Sequence, residues 1–409
     1  MKPKEKLVYI ASTFPVLRET FVSREIIELE KHGMELIVVS LKNTPQEVGS
    51  EELPQAPVLY LPFFCSVRLL AEALRTFLEH PVRVVRTSIK IVWAFRSRPS
   101  RAGKFLSIVP KSLYLVRIFK KENVRHMHAH FAAVPATCAY FISQVSGLSF
   151  SFTAHAWDIY VKGTDLLLRD KMLAADRVIT ISDYNRKYLL SFGIDEDKVA
   201  LFYQGLQLER YPFVVREPRQ IPLFVAGGGL EEKKGVDIFL RALGALKKRG
   251  TSFDAKIFGD GEEKENLMRL ASSLHLEGNV SFLGSMPHRD VIRLFQQADV
   301  FVMAAVRAKN GSIDGLPNVL AEAMACGATV VASDFSGIPE LLRGGEDGIL
   351  FPPGDDKALA DALNELCSNP DLRAIYSKSA RQRVEQFFDL PKNIQHLVGY
   401  FQDVLDRRR

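Results

Sequence analysis

Residues 313–342 read IDGLPNVLAEAMACGATVVASDFSGIPELL, and this stretch decides the fold. Pro317 suits the first turn of a helix, the run Val319–Cys326 is apolar apart from Glu322, and Gly327 stands where a left-handed residue ends helices. ATVVASD, 328–334, is the short apolar run of a buried parallel strand, and a second helix starts near Pro339. Helix, strand and helix in so little chain predict βαβ units. The alternation extends upstream through strands IPLFVA (221–226), FDAKIFG (253–259), NVSFLG (279–284) and DVFVMAA (299–305), with helical patterns between them. A first series precedes it: strands LVYIAS (7–12), ELIVVSL (35–41), VRHMHAH (124–130), SFSFTAH (149–155), RVITIS (177–182) and VALFY (199–203). Between the two series, 204–220 is irregular, with Pro212 and Pro218, and reads as a hinge. The expectation is α/β: two doubly wound parallel-sheet domains, at 1–208 and 209–390, facing across a cleft, with a last helix at 391–409.

The composition agrees. With 409 residues, 47% hydrophobic and 25% charged, the chain is an ordinary globular one, which excludes disordered, collagen-like and disulfide-framework classes. No apolar run approaches the roughly 18 residues of a spanning helix, and no secretory signal or 20–50-residue repeat is evident. Cys65, Cys138, Cys326 and Cys367 share no CxxC spacing, which points to a reducing, cytoplasmic setting.

Charge is unevenly spread. Residues 61–121 hold thirteen Lys and Arg against Glu72 and Glu79, so this window carries +11 of a total of +6 and leaves −5 for the rest. The window also interleaves Phe63, Phe64, Leu69, Leu70, Phe77, Val92, Trp93, Phe95, Phe105, Leu106, Leu113, Tyr114 and Leu115. Basic residues beside apolar helical faces suit an anionic membrane surface. The plainer alternative is packing on the window's own domain with basic side chains snorkelling outward. Nothing resembles a nucleic-acid-binding signature.

In open parallel sheets, ligands sit at the carboxyl ends of strands, so the chemistry belongs in those loops. Asp314 lies just ahead of a helix whose first amides, from Gly315 through Leu316 and Pro317 to Asn318, form an anion site. Glu322 lies within that helix among apolar neighbours, where an unpartnered carboxylate is costly. Two carboxylates for hydroxyls beside amides for phosphate suit a sugar nucleotide; the alternative is a capping Asp and an exposed Glu. Lys234, in EEKKGVD after the triple glycine Gly227–Gly229, places positive charge at a strand's carboxyl end, while Lys233 is expected to face solvent. His126, His128 and His130 alternate along one strand and share a face, a spacing that suits a metal.

These residues resemble the retaining family 4 glycosyltransferases of GT-B fold, closest to the exopolysaccharide and colanic-acid-type branch. Asp314 and Glu322 stand at the acidic positions of the Glu-x7-Glu signature, and the likeness continues in STFPVLRETFVSREI, HAHF (128–131), SFTAHAWD (151–158), EEKKGVD (231–237) and FLGSMP (282–287). The resemblance implies transfer of a sugar, with retention, from a UDP- or GDP-linked donor to a polyprenyl-diphosphate-linked or other saccharide acceptor in exopolysaccharide or lipopolysaccharide assembly. It implies no cofactor and no metal, and a peripheral place on the inner face of the cytoplasmic membrane. Glu322 would bind the donor ribose, Asp314 the donor sugar beside its reacting carbon, and Lys234 the diphosphate. His155 would face the sugar from the N-terminal domain. Gly228 and Gly229 would line the phosphates and Phe282 the base. Arg18, Glu19, His130 and Asp158 would form the acceptor side, and the last helix would cross back onto the first domain.

The pattern departs in three places. Family members commonly carry an Arg near the triple glycine; here either the phosphates approach the backbone amides of Gly227–Gly229 more closely or another cation substitutes, with Arg18 one candidate. FPVLRETF replaces a glycine-rich loop after the first strand, and Gln204-Gly205-Leu206-Gln207 stands at the hinge for Asn-Gly-Val-Asp. A sugar-nucleotide epimerase on the same fold, or a non-catalytic membrane scaffold, are the competing readings; a soluble epimerase substrate leaves the basic window without a purpose.

Overall fold

The computed structural model describes residues 6–16, 19–42, 53–62, 66–96, 99–161 and 167–407. It divides into two compact units: residues up to 181, with 185–204 and 394–409, and residues 182–184 with 205–393. The first carries seven strands, β1 (Lys6–Ala11), β2 (Leu36–Ser40), β3 (Val58–Tyr60), β4 (Val124–His130), β5 (Ser149–Ala154), β6 (Arg177–Thr180) and β7 (Val199–Leu201). All pair in parallel, in the order β3-β2-β1-β4-β5-β6-β7. β1, β2 and β5 are buried along their length apart from Lys6, as runs covered on both faces must be.

The second unit carries β8 (Leu223–Gly227), β9 (Asp254–Phe258), β10 (Val280–Gly284), β11 (Val300–Met303), β12 (Thr329–Ser333) and β13 (Ile349–Phe351), parallel in the order β10-β9-β8-β11-β12-β13. Each sheet reverses its strand order once, between β1 and β4 and between β8 and β11. At such switch points adjacent connections leave in opposite directions and open a crevice at the carboxyl edge.

Element bounds follow local chemistry. The helix Thr20–Lys31 ends at His32, with Gly33 at φ 77° beyond it, and the helix Asn318–Cys326 ends at Gly327, φ 93°. Pro317 sits one position earlier than its sequence suggests: it is the N-cap rather than the first helical residue. The helix Leu390–Asp406 lays Phe401 against Tyr9 and His128, with ring centroids 6.1 and 5.2 Å apart, so the C-terminal residues complete the first unit's core.

The basic window forms the helices Val67–Glu79, Pro81–Ala94 and Pro99–Lys121. Leu69, Ala73 and Thr76 from the first, and Val84, Thr87 and Ile91 from the second, are buried in the first unit, so packing on its own domain is real. Of the window's apolar residues, Leu69, Phe95, Leu113, Tyr114 and Leu115 are buried, whereas Leu70, Val92 and Trp93 are exposed. Phe63 and Phe64 lie outside the described residues.

Candidate functional site: the switch-point loops

In the second unit the two loops that leave the switch point touch. Gly235, at φ 62°, ends the turn after β8, and a Cβ there would stand 1.8 Å from Ala304 O at the end of β11. Only glycine fits, because both the backbone region and the space exclude a side chain. Two residues before Gly235 and two beyond Ala304 the loops bond directly, Val306 N donating to Lys233 O at 2.9 Å. This stitching delivers both lysines to the loop after β11. Lys234 Nζ lies 2.7 Å from Asp314 Oδ2, and Lys233 Nζ lies 3.5 Å from Asp314 Oδ1 and 3.1 Å from Glu231. Lys233 therefore does not face solvent as its sequence suggests; it is held inward by two carboxylates. Burial alone would raise the Asp314 pKa, but Lys234 and then Lys233 outweigh it and hold the carboxyl below the usual range. Burial would lower Lys233, yet Asp314 and Glu231 raise it, so the cluster is charged.

Gly228 borders this cluster. Among the described residues, and leaving aside its chain neighbours, Lys234 Cε at 4.0 Å is the one heavy atom within 4 Å of where its Cβ would be, so open space lies beside the lysine stem. The Gly228 amide, expected to be available to phosphate, is instead spent on Phe258 O at 3.1 Å. Gly229 follows it, its would-be Cβ 3.0 Å from Glu231 Oε1.

The helix Asn318–Cys326 has no side-chain cap on its first amides. The loop before it is braced from behind, because Gly337 N donates to Gly315 O at 3.0 Å and Ser336 Oγ does so at 3.3 Å. Leu316 is half-buried at the rim. Glu322 does have partners: Tyr211 Oη–H donates to Oε1 at 2.9 Å, and His288 Nε2 lies 3.3 Å from the same oxygen. One carboxylate oxygen is thus held by the protein, and the other makes no hydrogen bond among the described residues. Tyr211, in the irregular hinge run, and His288, opening a helix, carried no sequence signal for this role. Phe282, on edge strand β10, packs its half-buried ring against the core.

The first unit builds something different at the same edge. On one face of β4 and β5, His126 meets Ser149 and Ser151, both at 2.8 Å, and His128 meets Ser151 at 2.8 Å and Thr153 at 3.0 Å. The parallel register places these side chains opposite one another. At the top, His130 Nδ1 lies 3.2 Å from His155 Nε2, and His130 Nε2 lies 3.0 Å from Glu25 Oε1, which also accepts from Tyr9 Oη–H at 2.8 Å. Burial first, then the neighbouring His130, pushes the His155 pKa well below the ordinary value, so this imidazole is neutral. Glu25, His128 and His130 each place one ligand atom within 4.8 Å of the others. Both ring nitrogens of His128 are already engaged with hydroxyls, so His128 is a satisfied member of a polar network rather than a free ligand.

Two residues expected on the acceptor side are interior groups. His130 is buried within the cluster, and Asp158 is fully buried with its carboxylate accepting from Ala132 N (2.6 Å), His155 N (3.1 Å) and Ala156 N (2.9 Å). Asp158 therefore shapes the loop that presents His155, whose carbonyl also accepts from Asn185 Nδ2. Glu19 precedes the helix Thr20–Lys31; burial raises its carboxyl pKa against the opposing pull of His130. Arg18 lies outside the described residues. Glu25 went unread in the sequence, although a carboxylate between Val22 and Leu29 on a core-facing stripe was a visible signal.

Comparison with known proteins matches residues 19–210 to a model described as Glycosyltransferase Family 4 and residues 209–383 to one described as Glycosyl transferases group 1. The chain carries both glycosyltransferase domains, one after the other, and the two matches together span residues 19–383. Two curated relatives are a glycosyltransferase assigned to colanic acid biosynthesis, WcaL of Escherichia coli, 33% identical over 52% of this chain and 53% of the relative, and the amylovoran biosynthesis glycosyltransferase AmsK of Erwinia amylovora, 32% identical over 56% of each. The chain spans little more than half the length of these relatives. Among solved structures, HepE of Anabaena in complex with UDP-glucose superposes with a TM-score of 0.71 at 16% identity, covering 98% of this chain and 100% of that one. The fold of this glycosyltransferase is GT-B.

Proposed function

We propose that the second unit binds a nucleotide-diphosphate sugar and that the protein transfers this sugar, with retention, to a lipid-linked or other saccharide acceptor in bacterial exopolysaccharide assembly. The observation that carries the proposal is the Lys233–Lys234–Asp314 cluster beside the open space at Gly228, one helix away from Glu322. A diphosphate placed there exchanges the Asp314 partnership of Lys234 for its own negative charge, which grows as the C1–O bond to the sugar breaks. Glu322 keeps one oxygen on Tyr211 and His288 and offers the other to ribose hydroxyls. UDP-glucose bound to HepE, a protein of the same fold, supports this class of donor, and the colanic acid and amylovoran names of the relatives support the pathway.

The reaction balances simply. The acceptor oxygen forms the new bond to C1 on the face the diphosphate leaves, and its proton passes to the departing phosphate oxygen. Two lysines supply the charge that stabilises the leaving group, so no resident cofactor or metal is required in this proposal. The first test is the anomer formed. With an α-linked UDP- or GDP-sugar, proton NMR of the first product is expected to show the α form, unchanged by EDTA. A β product would overturn retention, and loss with EDTA would overturn metal independence.

The proposal includes a peripheral place on the membrane. No helix among the described residues is long and apolar enough to cross a membrane. The helices Val67–Glu79 and Pro81–Ala94, however, each present a second apolar stripe to solvent: Val67, Leu70, Leu74 and Leu78, then Val82, Val85, Ile89 and Trp93. The two stripes share one spacing, and Arg68 and Arg75, then Arg83 and Lys90, flank them at matching positions. Exposed apolar ridges bordered by cations suit an anionic leaflet, where burial and charge act together.

A further inference from the structure

The upper end of the histidine ladder holds a carboxylate in an unusual position. Glu25 is buried, its Oε1 receives two neighbours, and its Oε2, buried too, has no hydrogen-bond partner among the described residues. A half-satisfied buried carboxylate costs stability, and such groups persist where they serve chemistry. What Glu25 can do follows from proton accounting. A carboxylate only accepts, so both groups on its Oε1 must donate. Tyr9 does so as a phenol, its pKa raised well above the ordinary value by burial and then by Glu25. His130 must then carry a proton on Nε2, and in its neutral form it keeps a bare lone pair on Nδ1. With His130 neutral, the 3.2 Å contact between His130 Nδ1 and His155 Nε2 takes its one hydrogen from His155.

We propose that Glu25 and His130 are positioning residues that hold His155 in the tautomer with its proton on Nε2, so that Nδ1 presents a bare lone pair to a sugar hydroxyl. The proposal rests on the glycosyl-transfer reading for what meets Nδ1, but the tautomer itself is independent of that reading. The tilted packing of His155 against Phe21 and Phe131, with centroids 5.0 and 4.6 Å away, and the Asp158 clamp on its backbone fix where Nδ1 points. Glu25, two residues removed along this chain of bonds, fixes what Nδ1 offers.

Selective 15N-histidine NMR tests this on the full chain, with His155 assigned by the signal lost in H155Q. In the wild type, His155 Nδ1 is expected at the shift of an unprotonated nitrogen and Nε2 at that of a protonated one. In E25Q the amide can donate to His130 Nε2, which reverses both imidazoles and moves the proton of His155 to Nδ1. Y9F removes a donor but leaves the carboxylate, so His155 keeps the wild-type pattern. A wild-type His155 protonated on Nδ1, or an E25Q spectrum with the wild-type tautomer, would overturn the proposal; if E25Q does not fold, the wild-type and Y9F spectra decide alone. Turnover supplies the second readout: E25Q is expected to lower kcat on the order of 10²-fold with the donor KM held within about twofold. A wild type with the expected tautomer and no turnover on any donor would leave the positioning intact and remove the transfer reading.

Discussion

The two units share a strand order around their switch points yet furnish that edge with opposite chemistry. In the second unit the loops after β8 and β11 carry ions: Lys233, Lys234, Glu231 and Asp314 lie within 3.5 Å of a partner and keep contact with solvent. In the first, the carboxyl edge of β4 and β5 carries neutral imidazoles packed out of water, His128 and His155 both pushed well below their ordinary pKa. Charge at a partly solvated rim suits capture of an anionic diphosphate, whose attraction survives screening at short range. Neutral, oriented hydrogen-bonding groups suit hydroxyls, which reward geometry rather than charge. A single topology thus supplies either kind of recognition, depending on which side chains the loops deliver.

The contrast can be broken most severely at Lys234. Lys234→Ala is expected to reduce kcat/KM about 10²- to 10³-fold, because the leaving diphosphate loses its nearest cation; steady-state kinetics with the responding donor measures it. A next, smaller effect lies outside both edges. Leu74→Glu with Ile89→Glu is expected to abolish sedimentation with phosphatidylglycerol vesicles at low and high salt, each buried apolar side chain being worth about 1.5–3 kcal/mol. Neutralising Arg83, Arg86, Lys90 and Arg96 should instead leave a weaker association that salt no longer alters. Vesicle binding unchanged in both sets would remove the membrane reading.

The buried imidazoles should show in acid. His128 faces His130, His126 and His155, and burial is the main cause of its lowered pKa. An unfolded chain takes up protons at His128 and His155 below about pH 6.5 and the folded chain does not. Stability is therefore full above that pH and falls as pH drops, by about 1.4 kcal/mol per histidine per pH unit until the folded values are reached. Urea midpoints between pH 7.5 and 5 measure this slope. The smallest effect belongs to Tyr211→Phe, which frees Glu322 Oε1 from its phenol. It should weaken donor binding about fivefold, the worth of one hydrogen bond of about 1 kcal/mol, with kcat unchanged.

Much of this was legible because periodicity and punctuation carry it. Apolar runs separated by helical patterns gave both sheets, Gly33 and Gly327 marked helix ends, and the Asp314–Glu322 spacing with Lys234 marked the loops at the second switch point. What escaped depends on distance in space rather than in sequence. Lys233 reads as one of a solvated run, and only the close approach of Gly235 to Ala304 turns it inward. Tyr211 reads as linker, 111 positions from the glutamate it holds. His130 and Asp158 sit in motifs that read as a site, and their burial shows instead that they build the support beneath His155. The helices Val67–Glu79 and Pro81–Ala94 could be assigned to core or to surface from their sequence, and each carries both a buried and an exposed apolar stripe.

The central claim is that the loops after β8 and β11 hold a nucleotide-diphosphate sugar. Calorimetric titration of the full chain with a panel of UDP- and GDP-linked sugars tests it most directly, with Lys234→Ala and Glu322→Ala titrated alongside. The account predicts saturable binding of at least one donor by the wild type and a loss of 10-fold or more in affinity in each variant, about 1.4 kcal/mol or above. Equal binding by all three proteins, or no donor bound by the wild type, would contradict it.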